Sequence, residues 1–550
     1  MDAPPPPPPW RYRKKRKFER VHDQESPLAG GLDLINALPD AVLCTIISLL
    51  PTKEGARTQA VARRWRPLWR SAPLNLVADF SLSCKERRRV ALISKILAEH
   101  PGPALLFELP DIRQRDHHKL DGWLRSQALT GLQILYLGYN ADDDKHGLLP
   151  PPALRFAPTL RVATFRRCHF PDLYGQSLNF PCLNKLSLYK VTIVSALSAH
   201  SLNFPHLKQL TICEVTISGD ALHSMLSGCH SLESLFLEGI PGAARLCISF
   251  PTLRSIGFSA IRRRVWGWEC DWDFADLLQE LVIEDAPCLE RLLPLYPGSG
   301  PETVRVIQAP KLQVLGVLST QIFKLFIGTT VFQKMIPISV TTTMPTVKAL
   351  AIEYDGPNLD ALIGLLKCFP CLERLYVIVS SILIFLCIHI SMTDLCSNTL
   401  TNFLYIVCFL HLQFDARSRM KMKSVQKYDP LDPIECLESY LKRVVLEGYS
   451  GDMPDVEFAK FFVLNAKVLE EMKFGSIHSR DREWKSNQHM WLQVDSRASR
   501  GARFEFTSRY CRHNGLGNSN THDLSMANPF KCFDAACKLG IQECLFCNPN

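Results

Sequence analysis

Four cysteines near the end of the 550-residue chain, Cys532, Cys537, Cys544 and Cys547, are of the residue type that holds zinc, and His513 and His522 lie upstream of them. Thiolate and imidazole ligands can build a structural zinc site, but such sites set two short C-x2-4-C knuckles across a longer loop. The spacing here is C-x4-C-x6-C-x2-C. Its middle gap is too short, so the segment reads as an irregular tail with no metal. His117-His118, flanked by Asp116 and Asp121, is a second candidate ligand group. Adjacent histidines do not share a helix face, and no cysteine is near, so a surface pair is expected. The carboxylates Glu284-Asp285 fall in a strand-and-turn pattern, as solvated residues do. No phosphate-binding glycine loop, H-E-x-x-H, G-x-S-x-G or dinucleotide glycine fingerprint occurs. The expectation is a chain that does no bond chemistry and takes no cofactor.

Composition agrees with a binding protein built on a sizeable core. The chain is 47% apolar and 21% charged, which is ordinary for a globular protein of more than one domain. The formal charge of +9 comes mostly from the first 70 residues. The body is close to neutral and lacks the basic stripe of a nucleic-acid-binding fold. The 20 cysteines are scattered among apolar neighbours, as buried thiols are. No N-x-Ser/Thr sequon or leader pattern is seen, so a reducing compartment is expected. Residues 1–32 read as a disordered tail, with a polyproline run from Pro4 to Pro9 and a basic cluster from Arg11 to Lys17. That cluster is either a nuclear import signal or a solvated charged tail. The expected localisation is nucleus, cytoplasm or both.

The elements that organise the chain begin at Asp33 to Ser71, DLINALPDAVLCTIISLLPTKEGARTQAVARRWRPLWRS. A first amphipathic helix is expected to start at Pro39 or Asp40 and to carry Val42, Leu43, Ile46, Ile47, Leu49 and Leu50 at helical spacing. Pro51 stops it. Thr52 is the expected N-cap of a second helix bearing Ala56, Ala60, Val61 and Trp65 on one side and Arg57, Arg63, Arg64 and Arg66 on the other. The string resembles the plant F-box through Leu-Pro-Asp, Leu-Pro-Thr-Lys, Arg-Thr and Arg-Trp-Arg-x-Leu-Trp. One departure is Gly55-Ala56, where that family often has a larger apolar residue; glycine inside a helix costs on the order of 1 kcal/mol relative to alanine. The resemblance implies docking onto a Skp-type adaptor, and through it onto a cullin–RING ubiquitin ligase. Leu38, Pro39, Ile46, Ile47, Leu50, Val61, Trp65 and Trp69 are the residues expected to make that contact or the helical core that presents it. Trp65→Ala and Trp69→Ala are expected to be the most damaging changes.

From about Leu132 the chain repeats itself. CLNKLSLYKVTI, HLKQLTICEVTI, SLESLFLEGI, TLRSIGFSAI, LLQELVIEDA, KLQVLGVLST, TVKALAIEYD, CLERLYVIV, YLKRVVLEGY and VLEEMKFGSI share the form L-x-x-L-x-L. The regular part has the period of a leucine-rich repeat. Leu186, Leu188, Leu210 and Ile212 alternate as strand residues facing an interior do, and one repeat cannot bury that face without a neighbour. Helices are expected from Ser218, Asn358 and Asp455. The fold class is therefore α/β: a short helical F-box followed by a leucine-rich-repeat solenoid whose parallel sheet lines a concave face. Ser187, Tyr189, Thr211, Phe236, Glu238, Glu284 and Glu353 are expected on that face, with Cys213 and Glu447, where an unidentified protein substrate would bind.

Tyr428 to Thr507 carries a second resemblance, to the FBD region at the C-terminal end of plant F-box leucine-rich-repeat proteins. It rests on Ile434-Glu435-Cys436-Leu437, Leu441-Lys442 to Gly448-Tyr449, Glu457 to Ala466 and Ala502-Arg503-Phe504-Glu505-Phe506. One segment breaks the pattern: Val377 to Arg419 holds two apolar runs, each short of the ~20 residues of a membrane span. No membrane association is expected. An insertion at 379–419, such as a translated intron, is the expected reading. The expected organisation is a tail to residue 32, F-box 33–75, helical linker or cap 76–130, repeats 131–378, the insertion, the FBD-like region 420–510 and an irregular tail 511–550. The role this implies is substrate recognition in a ubiquitin ligase. The alternatives are a repeat scaffold outside any ligase and the impaired product of an altered gene.

Overall fold

The computed structural model describes residues 34–100, 103–140, 147–171, 177–193, 202–259, 278–295, 301–319, 322, 324–338, 343–354, 359–379, 432–475, 482–507, 518–526 and 529–530. The polyproline and basic tail, the apolar insertion beyond Val379, His513, Asn358 and the four C-terminal cysteines lie outside these residues.

Fifteen parallel strands form one sheet in chain order: Leu74–Val77, Ala104–Ile112, Ile134–Tyr139, Val162–Arg166, Lys185–Tyr189, Gln209–Cys213, Ser234–Glu238, Ser255–Ser259, Arg291–Pro294, Val314–Ser319, Ala349–Tyr354, Arg374–Val379, Arg443–Glu447, Glu471–Gly475 and Arg503–Thr507. The register explains the L-x-L rhythm. Leu186, Leu210, Leu235, Ile256 and Leu292 stand side by side across five strands. They are buried in one core with the helices Gly219–Ser227, Leu359–Lys367 and Met453–Asn465. Ser218 caps the first of these through its side chain, which accepts from the Ala221 amide at 3.3 Å.

One device recurs at the end of successive strands. Arg167, Lys190, Glu214, Gly239 and Gly448 all have φ between +53° and +80°. Each left-handed turn aims its N–H at the last carbonyl of the next strand, as in Lys190 N to Cys213 O at 2.9 Å and Glu214 N to Glu238 O at 2.7 Å. Left-handed backbone costs a non-glycine residue roughly 1–2 kcal/mol, which the repeated hydrogen bond offsets.

The structure departs from the sequence reading in where the sheet begins and in what its outer layer is. The sheet begins at Leu74, not near residue 131, because Leu74–Val77 and Ala104–Ile112 pair in parallel with it; the helix Glu86–Glu99 that joins them packs on the outer side. Between Arg245 and Pro337 the outer layer is a second, six-stranded sheet. The strand Glu280–Asp285 belongs to that outer sheet, so Glu284 is not on the concave face. Both strand types bury one face, so LLQELVIEDA matches the concave-strand pattern without being one. Arg374 pairs with Arg443 and Ile378 with Glu447, so the sheet runs on directly across residues 380–431.

The F-box-like segment has its own small core of Leu43, Ile47, Trp65, Leu68 and Ala72. Its helices are Asp40–Leu49, Thr52–Arg57 and Trp65–Ser71. Thr52 is the first residue of the second helix rather than its N-cap. Its hydroxyl donates to Asn75 O at 2.9 Å and accepts from Val77 N at 2.8 Å, which joins the subdomain to the first strand of the sheet. Thr52→Val strands the Val77 amide and is expected to cost about 1–3 kcal/mol, measurable as faster hydrogen exchange in residues 40–57 with the repeats unchanged. Gly55 explains itself: a Cβ there would lie 2.7 Å from Trp69 Cζ3, so the missing side chain makes room for the tryptophan.

Candidate functional site

Two surfaces carry the residues singled out by sequence. The first is the F-box-like helix Asp40–Leu49, which is apolar on two sides. Leu43 and Ile47 face the small core, whereas Val42, Ile46 and Leu49, spaced for one helix face, are 42%, 36% and 77% exposed. Leu34, Ile35 and Val61 add exposed apolar side chains on the same subdomain. Arg64 fixes the start of the helix: its guanidinium donates to Leu38 O at 2.7 Å and Asp40 Oδ1 at 2.9 Å, and to Asn36 O. Trp65 Nε1 donates to Asn36 Oδ1 at 2.7 Å. The conspicuous Arg-Trp pair thus ties the end of the motif to its beginning.

The eight residues expected here divide accordingly. Pro39, Ile46 and Val61 are exposed, Leu38, Leu50 and Trp69 are half-buried, and Ile47 and Trp65 are interior. Trp65 therefore supports the outer face and does not form it. Leu34, Ile35, Val42 and Leu49 belong to the exposed set and were not singled out for it, because an amphipathic reading assigns every apolar residue to the core.

The second surface is the face of the fifteen-stranded sheet opposite the helices. Ser187, Thr211, Phe236, Gly257 and Leu293 occupy one row across it, and Tyr189, Cys213, Glu238 and Ser259 the row beside it. Glu353 and Glu447 continue that second row on later strands. Ser187, Thr211, Phe236 and Glu238 are nonetheless buried. Over Thr211 and Phe236 the covering is the chain's own, from residues 518–526 and from Phe530. His522 bridges two strands, Nε2 lying 2.8 Å from Thr211 Oγ1 and Nδ1 2.7 Å from Ser234 Oγ. The Ser234 hydroxyl also lies 3.0 Å from Thr521 O, and Gln209 Nε2 donates to His522 O at 3.3 Å. Arg291, itself buried, donates to the carbonyls of Asp523 at 2.8 Å, Leu524 at 3.0 Å, and Met526. Farther along, Phe530 seals a second apolar cluster of Phe236, Leu293, Val314, Ala351 and Tyr376, its ring 5.3 Å from that of Tyr376. Sequence reasoning missed this because the docking uses carbonyls and one imidazole, which leave no periodic trace.

Burial first, and Lys185 second, pull the His522 imidazole down to about 3, against about 6.5 for a free histidine. The groups around it are Lys185, Gln209, Thr211, Ser234, the Phe236 ring and, on its own segment, Asp523, which faces Arg291. A base with a depressed pKa in the docked state refuses a proton that the undocked segment takes up. Docking is therefore undiminished above pH 6.5 and weakens as pH falls through it, by roughly tenfold between pH 8 and 5.5. Exchange protection of residues 518–526 measured at the two pH values checks this.

Each of the paired histidines has a ring nitrogen beside a backbone carbonyl: His117 Nε2 lies 2.8 Å from Leu148 O and His118 Nδ1 3.1 Å from Arg115 O. No group of three or more potential metal ligands comes together among the described residues. No described helix is long and apolar enough to cross a membrane.

Comparison with known proteins agrees with both resemblances. The leucine-rich-repeat model of "FBD-associated F-box protein At5g56370" matches residues 120–198 and 193–377, and the FBD model matches residues 429–474. Among curated proteins of Arabidopsis thaliana, the chain is 25% identical over 272 residues to F-box/LRR-repeat protein At4g14103, covering 48% of this chain and 61% of that one. It is 28% identical over 182 residues to the putative F-box/FBD/LRR-repeat protein At4g26350, covering 30% and 40%. With F-box/LRR-repeat protein At4g14096 it shares 28% over 244 residues, covering 42% and 46%. The chain thus matches less than two thirds of the length of each of these relatives. With an F-box-like subdomain, a parallel repeat sheet and an FBD region in that order, the chain is similar to the plant F-box/leucine-rich-repeat/FBD proteins, through the repeat model over residues 120–377 and the FBD model over 429–474.

Proposed function

We propose that the chain is the substrate-recognition subunit of a Skp–cullin–F-box ubiquitin ligase. The observation that carries the reading is the outer face of the helix Asp40–Leu49. Val42, Ile46 and Leu49 stand exposed on a subdomain whose interior is already complete without them. Contiguous exposed apolar surface marks a protein interface, and this one lies on the string that resembles the adaptor-binding motif. The Skp-type adaptor covers that face and links the chain to the cullin–RING module. The repeat sheet holds a protein substrate. The chain contributes proximity: it raises the effective concentration of substrate lysines at a ubiquitin-conjugating enzyme and makes or breaks no bond itself. The basic cluster Arg11 to Lys17 supports a nuclear or nucleocytoplasmic location. Capture of a purified plant Skp-type adaptor by the full chain tests the reading. Absence of capture by folded protein would overturn it in favour of a repeat scaffold outside any ligase.

A further inference from the structure

The segment from Asn518 to Phe530 behaves as a tenant of the sheet rather than as part of it. The strands pair without it, each with its neighbours in chain order. What the segment meets is a prepared surface. Thr211, Ser234 and Ser255 present small hydroxyl side chains on this face, and all three are fully buried. Gly257 leaves an open notch: a Cβ there would lie 2.3 Å from Thr521 Oγ1 and 2.8 Å from Leu295 Cδ2. Arg291 directs its guanidinium at three backbone carbonyls, those of Asp523, Leu524 and Met526, a group any peptide can offer. Beyond it, Leu293, Val314, Ala351 and Tyr376 make an apolar floor on which one aromatic ring, Phe530, sits. Left bare, such a floor would be an exposed apolar patch of the kind that marks a binding site.

We infer that this face is a peptide-recognition groove for a protein segment with a neutral histidine followed about eight residues later by an aromatic side chain, and that residues 518–530 hold it in cis as an internal mimic that a partner must displace. The inference rests on the reading of the repeat sheet as the substrate-binding side. The neutral form is the one the groove favours, because the imidazole is buried with its two nitrogens 2.8 and 2.7 Å from the Thr211 and Ser234 hydroxyls, uncharged groups that do little to offset the desolvation of an imidazolium. The Asp after it meets the field of Arg291. Self-occupancy reduces the apparent affinity for a partner by the fraction of chains whose groove is open, and a tethered segment sets that fraction low because its effective concentration is of order millimolar.

The test uses the full chain and a fluorescein-labelled synthetic peptide of residues 516–531. The double variant His522→Asp/Phe530→Asp, which weakens the resident segment at both anchors, is expected to take up the peptide at least about tenfold more tightly than the native chain. Equal uptake by the two chains, or none by the double variant, overturns the inference. The Gly257→Val variant attacks the same contact from the sheet. It is expected to raise hydrogen exchange in residues 518–526 while giving no gain in peptide uptake, and unchanged exchange there overturns the inference even where the double variant does not fold. Adaptor capture measured in parallel separates the two readings: its loss in the native chain would sink the ligase assignment and leave the groove standing.

Discussion

Replacing Val42 and Leu49 together by glutamate is expected to abolish capture of the Skp-type adaptor while leaving the melting temperature within about 2 °C. The two side chains are 42% and 77% exposed, so they contribute little to the folded monomer, and charge at these positions meets water until a partner arrives. In a desolvated interface each buried apolar anchor is worth about 2 kcal/mol, and two of them correspond to a roughly 100- to 1,000-fold loss of affinity. Trp65→Ala provides the contrast. Trp65 is 5% exposed and closes a core of five buried side chains. Removing it is expected to cost about 3–5 kcal/mol, enough to unfold so small a subdomain. Binding would then fail through folding, visible as lost exchange protection in residues 40–71. Adaptor capture by the double glutamate variant at native strength would refute the assignment of this face.

The second large effect is expected at the other end of the solenoid. Phe474 is fully buried, stacked on Phe506 at 4.5 Å between ring centroids and edge-on to Tyr449 at 4.8 Å. Trp484 packs against Phe506 from the helix Arg482–Trp491. These rings form the terminal cap that the last strands require, since each repeat contacts only its neighbours and the final one has none beyond it. Phe474→Ala is expected to cost about 3–5 kcal/mol through the cavity it leaves. The loss should be local, with residues 482–507 exchanging first and the F-box end retaining adaptor capture. A uniform rise in exchange along the whole sheet would show instead that the solenoid unfolds as one unit.

What could be read without the structure follows from how locally each feature is encoded. The L-x-x-L-x-L rhythm places a strand because alternation and period are properties of a dozen adjacent residues. The same rhythm misplaced Glu284, since the outer strand Glu280–Asp285 obeys the same alternation on the opposite layer. The strands Leu74–Val77 and Ala104–Ile112 lack the leading leucine turn and gave no repeat signal, although pairing makes them the first two members of the sheet. Gly55 looked like a helix defect and proved to be the space that Trp69 fills. Thr52 looked like a cap, but its hydroxyl serves another element. On the sheet face, Thr211 and Phe236 stand in one row, and their burial depends on a segment some 300 residues away in sequence, which no local pattern carries.

The Thr52 junction also sets the mechanical precision of the molecule. Fifteen strands at a spacing of about 4.8 Å extend the sheet for about 70 Å along its arc. The F-box-like subdomain is held at one end of that arc by the Thr52 hydroxyl, by Asn75 reaching back to Ser48 O, and by His100, whose Nε2 lies 3.0 Å from Trp69 O. A rotation of 5° at this joint would sweep the far strands through roughly 6 Å, about the length of a lysine side chain. On the ligase reading proposed above, the few hydrogen bonds at the base of this lever would set how far anything held on the sheet swings, although none of them touches it.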